Sequence, residues 1–340
     1  MPGIPHGYRR AFNTATSAVH GDDPDNARFS AACMQQHIVK SHEPCRMSRP
    51  LILALPGNEA MAARLSALLD AELGEIETRR FPDTETYLRL VTVPSERSVI
   101  LVCTLDRPDP KFLPLVFAAV AARDLGASRV GLVAPYLAYM RQDKRFRQGE
   151  AITSTAFSHL LSSGIDWLVT VDPHLHRVAW LGALYPIPTR VVRAAPMLAE
   201  WIKGRVEQPF LIGPDVESEQ WVAEVAQLTD APYRILRKER RGDRDVRVTV
   251  PDLHRFAGRT PVLVDDIVSS GRTMLETLRH LRDQNLPPAV CIAVHGLFSD
   301  ETYARLRENA SQVVTTNAVL HPSNAIDLAQ AIAAVVSEFA

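Results

Sequence analysis

From Arg49 onward the chain alternates short apolar runs with longer amphipathic segments, and it does so twice. The runs read as strands are 51–55 (LILAL), 98–103, 130–134, 167–171, 210–212, 262–264 and 290–294. Each is too short and too apolar for an amphipathic helix and fits a strand buried on both faces. Between and after them, helical periodicity covers 58–72, 112–125, 153–162, 194–203, 217–228, 271–284 and 325–338. Strands joined by helical crossovers make parallel sheets with helices on both faces, an α/β fold. The repeat breaks where Pro186, Pro188, Pro196 and Pro209 cluster, so two α/β domains in tandem are expected. In such sheets ligands sit beyond the carboxyl ends of the strands.

The length of 340 residues suits two domains of about 150 residues each. With 46% hydrophobic and 23% charged residues the chain has ample core, and wholesale disorder is excluded. A formal net charge of −1 argues against bulk nucleic-acid binding or a polybasic membrane surface. No apolar stretch approaches the ~18 residues of a spanning helix. The four cysteines (Cys33, Cys45, Cys103, Cys291) form no CxxC pair, and Cys103 and Cys291 fall in strand-like runs as expected buried thiols of a reducing compartment. The cytoplasm is the expected location. Residues 1–47 lack sustained periodicity and a secretory apolar core. They read as a flexible N-terminal extension, with Met47 as an alternative initiator.

The strongest chemical signal is PVLVDDIVSSGRTML at 261–275, a strand, a tight loop and a helix start. Such loops hold phosphate because backbone N–H groups and hydroxyls converge where the helix dipole favours negative charge. Asp265 and Asp266 at the strand end can hold sugar hydroxyls or a metal ion. Together with Ser269, Ser270, Gly271, Arg272 and Thr273 they would grip a ribose by its diol and its 5-phosphate. Taken alone, the segment also reads as an Asp-rich turn capping a helix.

Other clusters follow strand ends. After 130–134 come Arg141, Lys144, Arg145 and Arg147, with Lys111 upstream, a set suited to polyphosphate or an exposed basic loop. Arg80–Thr86 offers Phe81, Asp83 and Glu85 to a purine nucleoside, or is a hairpin bend with a half-buried Phe. Asp172 and His174 leave strand 167–171 as a possible Mg2+ pair, since Mg2+ takes few protein ligands and keeps its waters; a backbone-bonded loop His is the other reading. Asp215, after 210–212, is a candidate acidic partner. Residues 234–247 carry seven basic against three acidic side chains, forming a loop or hairpin that could close over a phosphoryl group or simply be solvated. There is no Walker A motif and no G-x-S-x-G elbow.

In this order the clusters resemble the ribose-phosphate diphosphokinases, the phosphoribosyl pyrophosphate (PRPP) synthetases, from about Gly57 to the C-terminus. The similarity rests on RFPDTE at 80–85, YMRQDKRF with GEAITS at 139–154, TVDPHLH at 170–176, KER at 238–240 and VDDIVSSGRT at 264–273. The resemblance implies two tandem phosphoribosyltransferase-type (type I) domains, each a mainly parallel sheet flanked by helices. These would be an ATP-side domain over 48–193 and a ribose 5-phosphate side over 194–325, with a C-terminal helix, 326–340, packing back on the first. It implies transfer of the diphosphoryl group of ATP to the C1 hydroxyl of ribose 5-phosphate, with Mg2+. It assigns Phe81, Asp83, Glu85, Arg141 and Gln142 to ATP, the first three partly across a subunit interface, and His174 and Asp215 to metal. It places Asp265, Asp266 and Ser269 to Thr273 on ribose 5-phosphate, Lys238 and Arg240 in the catalytic loop, and the chain in a homo-oligomer, a dimer or hexamer.

The chain is a divergent member of that pattern. Ser269 stands where the synthetases usually have Asp, Arg272 replaces a small residue, and Val216-Glu217-Ser218 replaces a glycine pair. The Ser and the compact GEAITS segment resemble the archaeal-type branch. Two alternatives are a PRPP-consuming phosphoribosyltransferase, which needs no ATP cluster, and a non-catalytic nucleotide-binding regulator, which need not keep Lys238 and Arg240.

Overall fold

The computed structural model describes residues 49–175, 177–240, 246–249 and 253–339. Residues 48–340 form one compact unit. Its first lobe runs β1 (Leu51–Ala54), α1 (Glu59–Leu68), β2 (Glu72–Gly74), β3 (Ile76–Arg80), β4 (Thr86–Leu90), β5 (Ser98–Val102), α2 (Asp109–Asp124), β6 (Arg129–Ala134), α3 (Thr153–Ser162), β7 (Trp167–Val171), β8 (Thr189–Val192) and α4 (Ala195–Arg205). The second runs β9 (Pro209–Gly213), α5 (Glu219–Thr229), β10 (Tyr233–Ile235), β11 (Arg237–Arg240), β12 (Val246–Thr249), β13 (Thr260–Val268), α6 (Arg272–Asp283), β14 (Val290–Gly296), α7 (Asp300–Asn309), β15 (Gln312–Thr316), β16 (Asn324–Ile326) and α8 (Ala329–Val336).

The two lists match element for element. Both central sheets are parallel, in the orders β2-β1-β5-β6-β7-β8 and β10-β9-β13-β14-β15-β16. In each lobe an antiparallel hairpin, β3–β4 or β11–β12, is inserted after the second strand. The lobes also exchange their last helices: α4 packs on α5 of the second lobe, and α8 packs on α1 of the first.

Burial follows the two-residue period of the strands. Leu51, Leu53 and Leu101 face one core with Leu115 and Phe157, while Ile52 and Ile100 face the other way. In the second lobe Phe210, Ile212 and Leu263 lie on the outer core, and Leu211, Val262 and Val264 on the inner one. The inner core is shared by both lobes, through Trp167, Leu198 and Trp201 on one side and Leu211, Ile292 and Ile332 on the other. Each such fully buried aliphatic side chain contributes roughly 1.5–3 kcal/mol. The C-terminal end is held on the first lobe, where Phe339 stacks on Trp167 at 4.8 Å and Arg190 Nε donates to Glu338 at 2.8 Å.

Cys103 and Cys291 are buried and unbridged, and burial pushes both thiols up to about 12. Among the described residues no helix is long and apolar enough to cross a membrane. The sequence pattern did not place β2, β8, β10, β15, β16 or α7, whereas a hairpin was among its readings at both 80–86 and 234–247. Strands of three to five residues carry too little periodicity, and α7 buries only Leu306. The strand expected at 262–264 runs on to Val268, so Asp265 and Asp266, expected at the strand end, lie within β13.

Candidate active site

A cleft of about 360 Å³ opens where strand ends of the two lobes face each other. Its second-lobe wall is the end of β13, the turn to α6 and the turn after β9. Its first-lobe wall is the segment after β6 and the one after β7.

The turn into α6 is built around Gly271. Its φ of +66° is in the left-handed region, and a Cβ there would stand 2.6 Å from Thr302 Cγ2. Only glycine meets both demands without strain. Gly271 caps α6, whose first closing bond is Leu275 N–H to the Gly271 carbonyl at 2.9 Å. Arg272, Thr273 and Met274 precede that first closing bond and line the cleft, with the exposed Ser269 and Ser270 beside them. This is an anion cradle at the positive end of a helix dipole.

Next to it are the acids. The Asp266 amide donates to Asp265 Oδ1 at 3.0 Å, and the Ile267 amide donates to Asp266 Oδ1 at 2.7 Å. Burial, reinforced by the negative charges of Asp266 and Asp215, holds the Asp265 carboxyl well above the usual carboxylate range. His174 reaches across from the first lobe, its Nδ1 2.6 Å from Asp266 Oδ2. The chain enters that position under strain, since Asp172 and His174 both have positive φ, +32° and +39°. Asp172 is fixed by the Ala194 amide, which donates to its Oδ2 at 2.8 Å; burial still raises its carboxyl to about 6.

Below this pair lies His295, on β14 and 1% exposed. Its Nε2 is 3.1 Å from the Val171 carbonyl and 3.3 Å from that of Asp172. Two carbonyls cannot donate, so Nε2 carries the proton. Burial pushes the ring down to about 4, making His295 a neutral strut from the second lobe to the end of β7.

Opposite stand the cations Arg141 and Arg177, while Arg272 belongs to the start of α6 on the cradle's own side. Arg177 Nη1 lies 2.9 and 3.1 Å from the two carboxylate oxygens of Asp143, whose side chain is 6% exposed. The Phe146 ring is flanked by Lys144 at 5.3 Å and Arg177 at 5.5 Å. Glu150 accepts from the Phe146 and Arg147 amides at 2.8 and 3.0 Å, which fixes this loop.

Cations on one wall and an amide cradle on the other suit a ligand with phosphates at both ends. For a metal, the donors at hand are the oxygens of Asp215, Asp265 and Asp266, with His174. Among the described residues no three His, Cys, Asp or Glu converge as a closed cage. Such a set fits a hard cation that keeps water and completes its shell with substrate phosphate, as Mg2+ does.

The cleft thus brings together Arg141, His174, Asp215, Asp265, Asp266 and Ser269 to Thr273. Other expected residues stand apart. Phe81, Asp83 and Glu85 occupy the exposed turn of the β3–β4 hairpin, outside the cleft. Gln142 is not in the wall; its carbonyl accepts from the Ser154 amide at 3.3 Å. Of the five expected basic groups, Arg141 lines the cleft, while Lys111 lines a different cavity. Lys238 and Arg240 belong to β11, in register with Val248 and Val246. His176 and residues 241–245 lie outside the described residues. The sequence reading singled out neither Asp143, Phe146 and Arg177 nor His295. The first two sit inside the quoted YMRQDKRF motif, and Arg177 follows TVDPHLH directly.

Comparison with known proteins finds matches to two successive parts of the chain. Residues 51–164 match the model of the N-terminal domain of ribose phosphate pyrophosphokinase, and residues 182–328 match the phosphoribosyl transferase domain. A ribose-phosphate pyrophosphokinase of Methanopyrus kandleri is 34% identical over 292 residues, 84% of this chain and 98% of that protein. One from Sulfurisphaera tokodaii is 30% identical over 277 residues, 79% of this chain and 93% of that one. The crystal structure of phosphoribosylpyrophosphate synthetase from Mycobacterium smegmatis superposes with a TM-score of 0.74 at 22% identity, covering 86% of this chain and 99% of that one, which speaks for a shared fold. A phosphoribosyltransferase alone would account for the second lobe but not for the first, and with both lobes matched the chain belongs to the ribose-phosphate pyrophosphokinase family.

Proposed function

We propose that the chain is a ribose-phosphate diphosphokinase, transferring the β,γ-diphosphoryl group of ATP to ribose 5-phosphate to give PRPP and AMP. The observation that carries this reading is the facing of two walls across one cleft. The amide cradle with twin aspartates comes from the second lobe, and an arginine wall with His174 comes from the first.

In this reading Ser269 to Thr273 take the 5-phosphate, and Asp265 and Asp266 the ribose hydroxyls. Arg141, with Arg177 beside it, takes the triphosphate. The anomeric oxygen bonds to the β-phosphorus, the bond from that phosphorus to the bridging α,β-oxygen breaks, AMP leaves and the hydroxyl proton is lost. Such transfer depends on alignment and charge neutralisation more than on a covalent nucleophile. Lys238 and Arg240, from the β11–β12 hairpin, supply cations for the developing charge. His174, Asp215 and the paired aspartates would hold Mg2+ together with the phosphates. Bound there, Mg2+ would supply Lewis-acid neutralisation of phosphate charge.

Phe81, Asp83 and Glu85 stand outside this chain's own cleft, so their adenosine role requires the cleft of a second copy, in a dimer or hexamer. Gln142 would act from the same loop as Arg141. The test is incubation of purified protein with ATP, Mg2+ and ribose 5-phosphate. AMP release that depends on the sugar supports the reading, and its absence under all three refutes it.

A further inference from the structure

The turn that carries His174 into the cleft is strained at two of its three residues. Asp172 and His174 have φ of +32° and +39°, and Pro173 between them narrows further what Asp172 can adopt. The His174 amide donates back to the Asp172 carbonyl at 2.9 Å, closing a three-residue turn around the proline. A turn of this kind persists only where its surroundings over-determine it.

Those surroundings come from both lobes. The first lobe contributes the Ala194 amide, which holds the Asp172 carboxylate. The second lobe contributes side chains from two paired strands. Asp266, on β13, meets the His174 ring. His295, on β14, puts its Nε2 3.1 Å from the Val171 carbonyl and 3.3 Å from that of Asp172. His295 is in register with Ile267, the residue after Asp266, so the two side chains come from adjoining points of one sheet. One holds the ring of His174 and the other holds the backbone two residues before it. The Asp172 carbonyl is the joint, since its two lone pairs accept from the His174 amide and from the His295 ring.

His295 is itself fixed, 1% exposed and met edge-on by the Tyr136 ring with centroids 5.0 Å apart. Among the described residues its Nδ1 has no hydrogen-bond partner, and a buried acceptor left unpaired costs stability. Space filling alone would be served better by an apolar side chain. What the imidazole adds is an N–H shared between two carbonyls at the entry to the strained turn. We propose that His295 is a positioning residue for His174, fixing the Asp172 carbonyl so that the turn sets the His174 ring on Asp266 and in the cleft. The part of His174 in the chemistry is taken from the function proposed above, whereas its placement by His295 stands on this geometry alone.

Crystal structures and kinetics of three full-length variants test it. His295→Leu removes the donor, His295→Asn draws it back out of reach, and His295→Gln keeps an amide N–H that can meet the same carbonyls. In the Leu and Asn variants the His174 ring should leave Asp266. The Mg2+ concentration for half-maximal rate should rise about 10–100-fold, with the ribose 5-phosphate KM moving far less. His295→Gln should bring back both the contact and the Mg2+ dependence. Should His295→Leu not fold, Asn against Gln carries the same comparison. A His174 ring still on Asp266 in the Leu or Asn variant, or displaced as far in Gln as in Asn, overturns the proposal. A displaced ring with an unaltered Mg2+ dependence upholds the positioning and counts against the metal role given to His174, so the two failures are told apart.

Discussion

His174 Nδ1 and Asp266 Oδ2, 92 residues apart in the chain, lie 2.6 Å apart across the two lobes. The contact joins the end of β7 to the end of β13, so each lobe holds part of the other's chemistry in place. A hydrogen bond to a charged group is worth about 1.5–3 kcal/mol, enough to couple placement of the histidine to that of the carboxylate.

Changing Asp266 to Asn keeps the shape and removes the charge. The expected result is a ribose 5-phosphate KM raised and a kcat lowered, together about 10–100-fold in kcat/KM, for the loss of one charged contact. The KM for ATP should move far less. Steady-state kinetics with each substrate varied would settle the point, and unaltered constants for the sugar would remove Asp266 from the site.

Gly271→Ala should cost about 1–3 kcal/mol in urea denaturation, from left-handed backbone strain plus the approach to Thr302 Cγ2. Adding Thr302→Ala should return the steric part while leaving the strain. If Gly271→Ala is as stable as the parent, the turn is not held at that φ.

The anion cradle and the twin aspartates were legible from the sequence because their residue types are dictated locally: a glycine where φ is positive, hydroxyls before a helix, acids at a strand end. The doubled strand–helix pattern was legible for the same reason, since buried parallel strands are continuous apolar runs. The equivalence of the hairpins was not, because RFPDTE and KER share no common motif and only strand order relates them. His295 and Arg177 were also hidden. His295 works through carbonyls 123 and 124 residues away and Arg177 through a carboxylate 34 residues away, relationships that no local pattern carries. Phe81, Asp83 and Glu85 were legible as a cluster, yet their distance from the chain's own cleft depends on how the hairpin is directed.

His295 gives a pH signature. Its ring titrates near 6.5 when unfolded and at about 4 when folded. Folding therefore excludes a proton between those values, and stability is lost as pH falls from 6.5 toward 4. Asp172, raised to about 6 from 3.8, works in the opposite sense and gains stability as pH falls through the same window. Comparing parent with His295→Gln removes one and keeps the other. The variant should be less stable at pH 8, and the gap should narrow by about 2 kcal/mol at pH 5. A gap independent of pH would mean the ring is not held neutral.

Lys238→Ala should lower kcat by about 10²–10³ while changing ATP binding little, as expected for a cation aimed at developing charge. Turnover equal to that of the parent would exclude β11 from the chemistry.

The most direct test of the central claim is phosphorus NMR of the complete reaction with ATP, Mg2+ and ribose 5-phosphate. The account predicts AMP and a sugar-linked diphosphate appearing in equal amounts, with no ADP. ADP with inorganic phosphate, or ATP left intact, would contradict the facing of triphosphate and pentose across the cleft between Arg141 and Asp266.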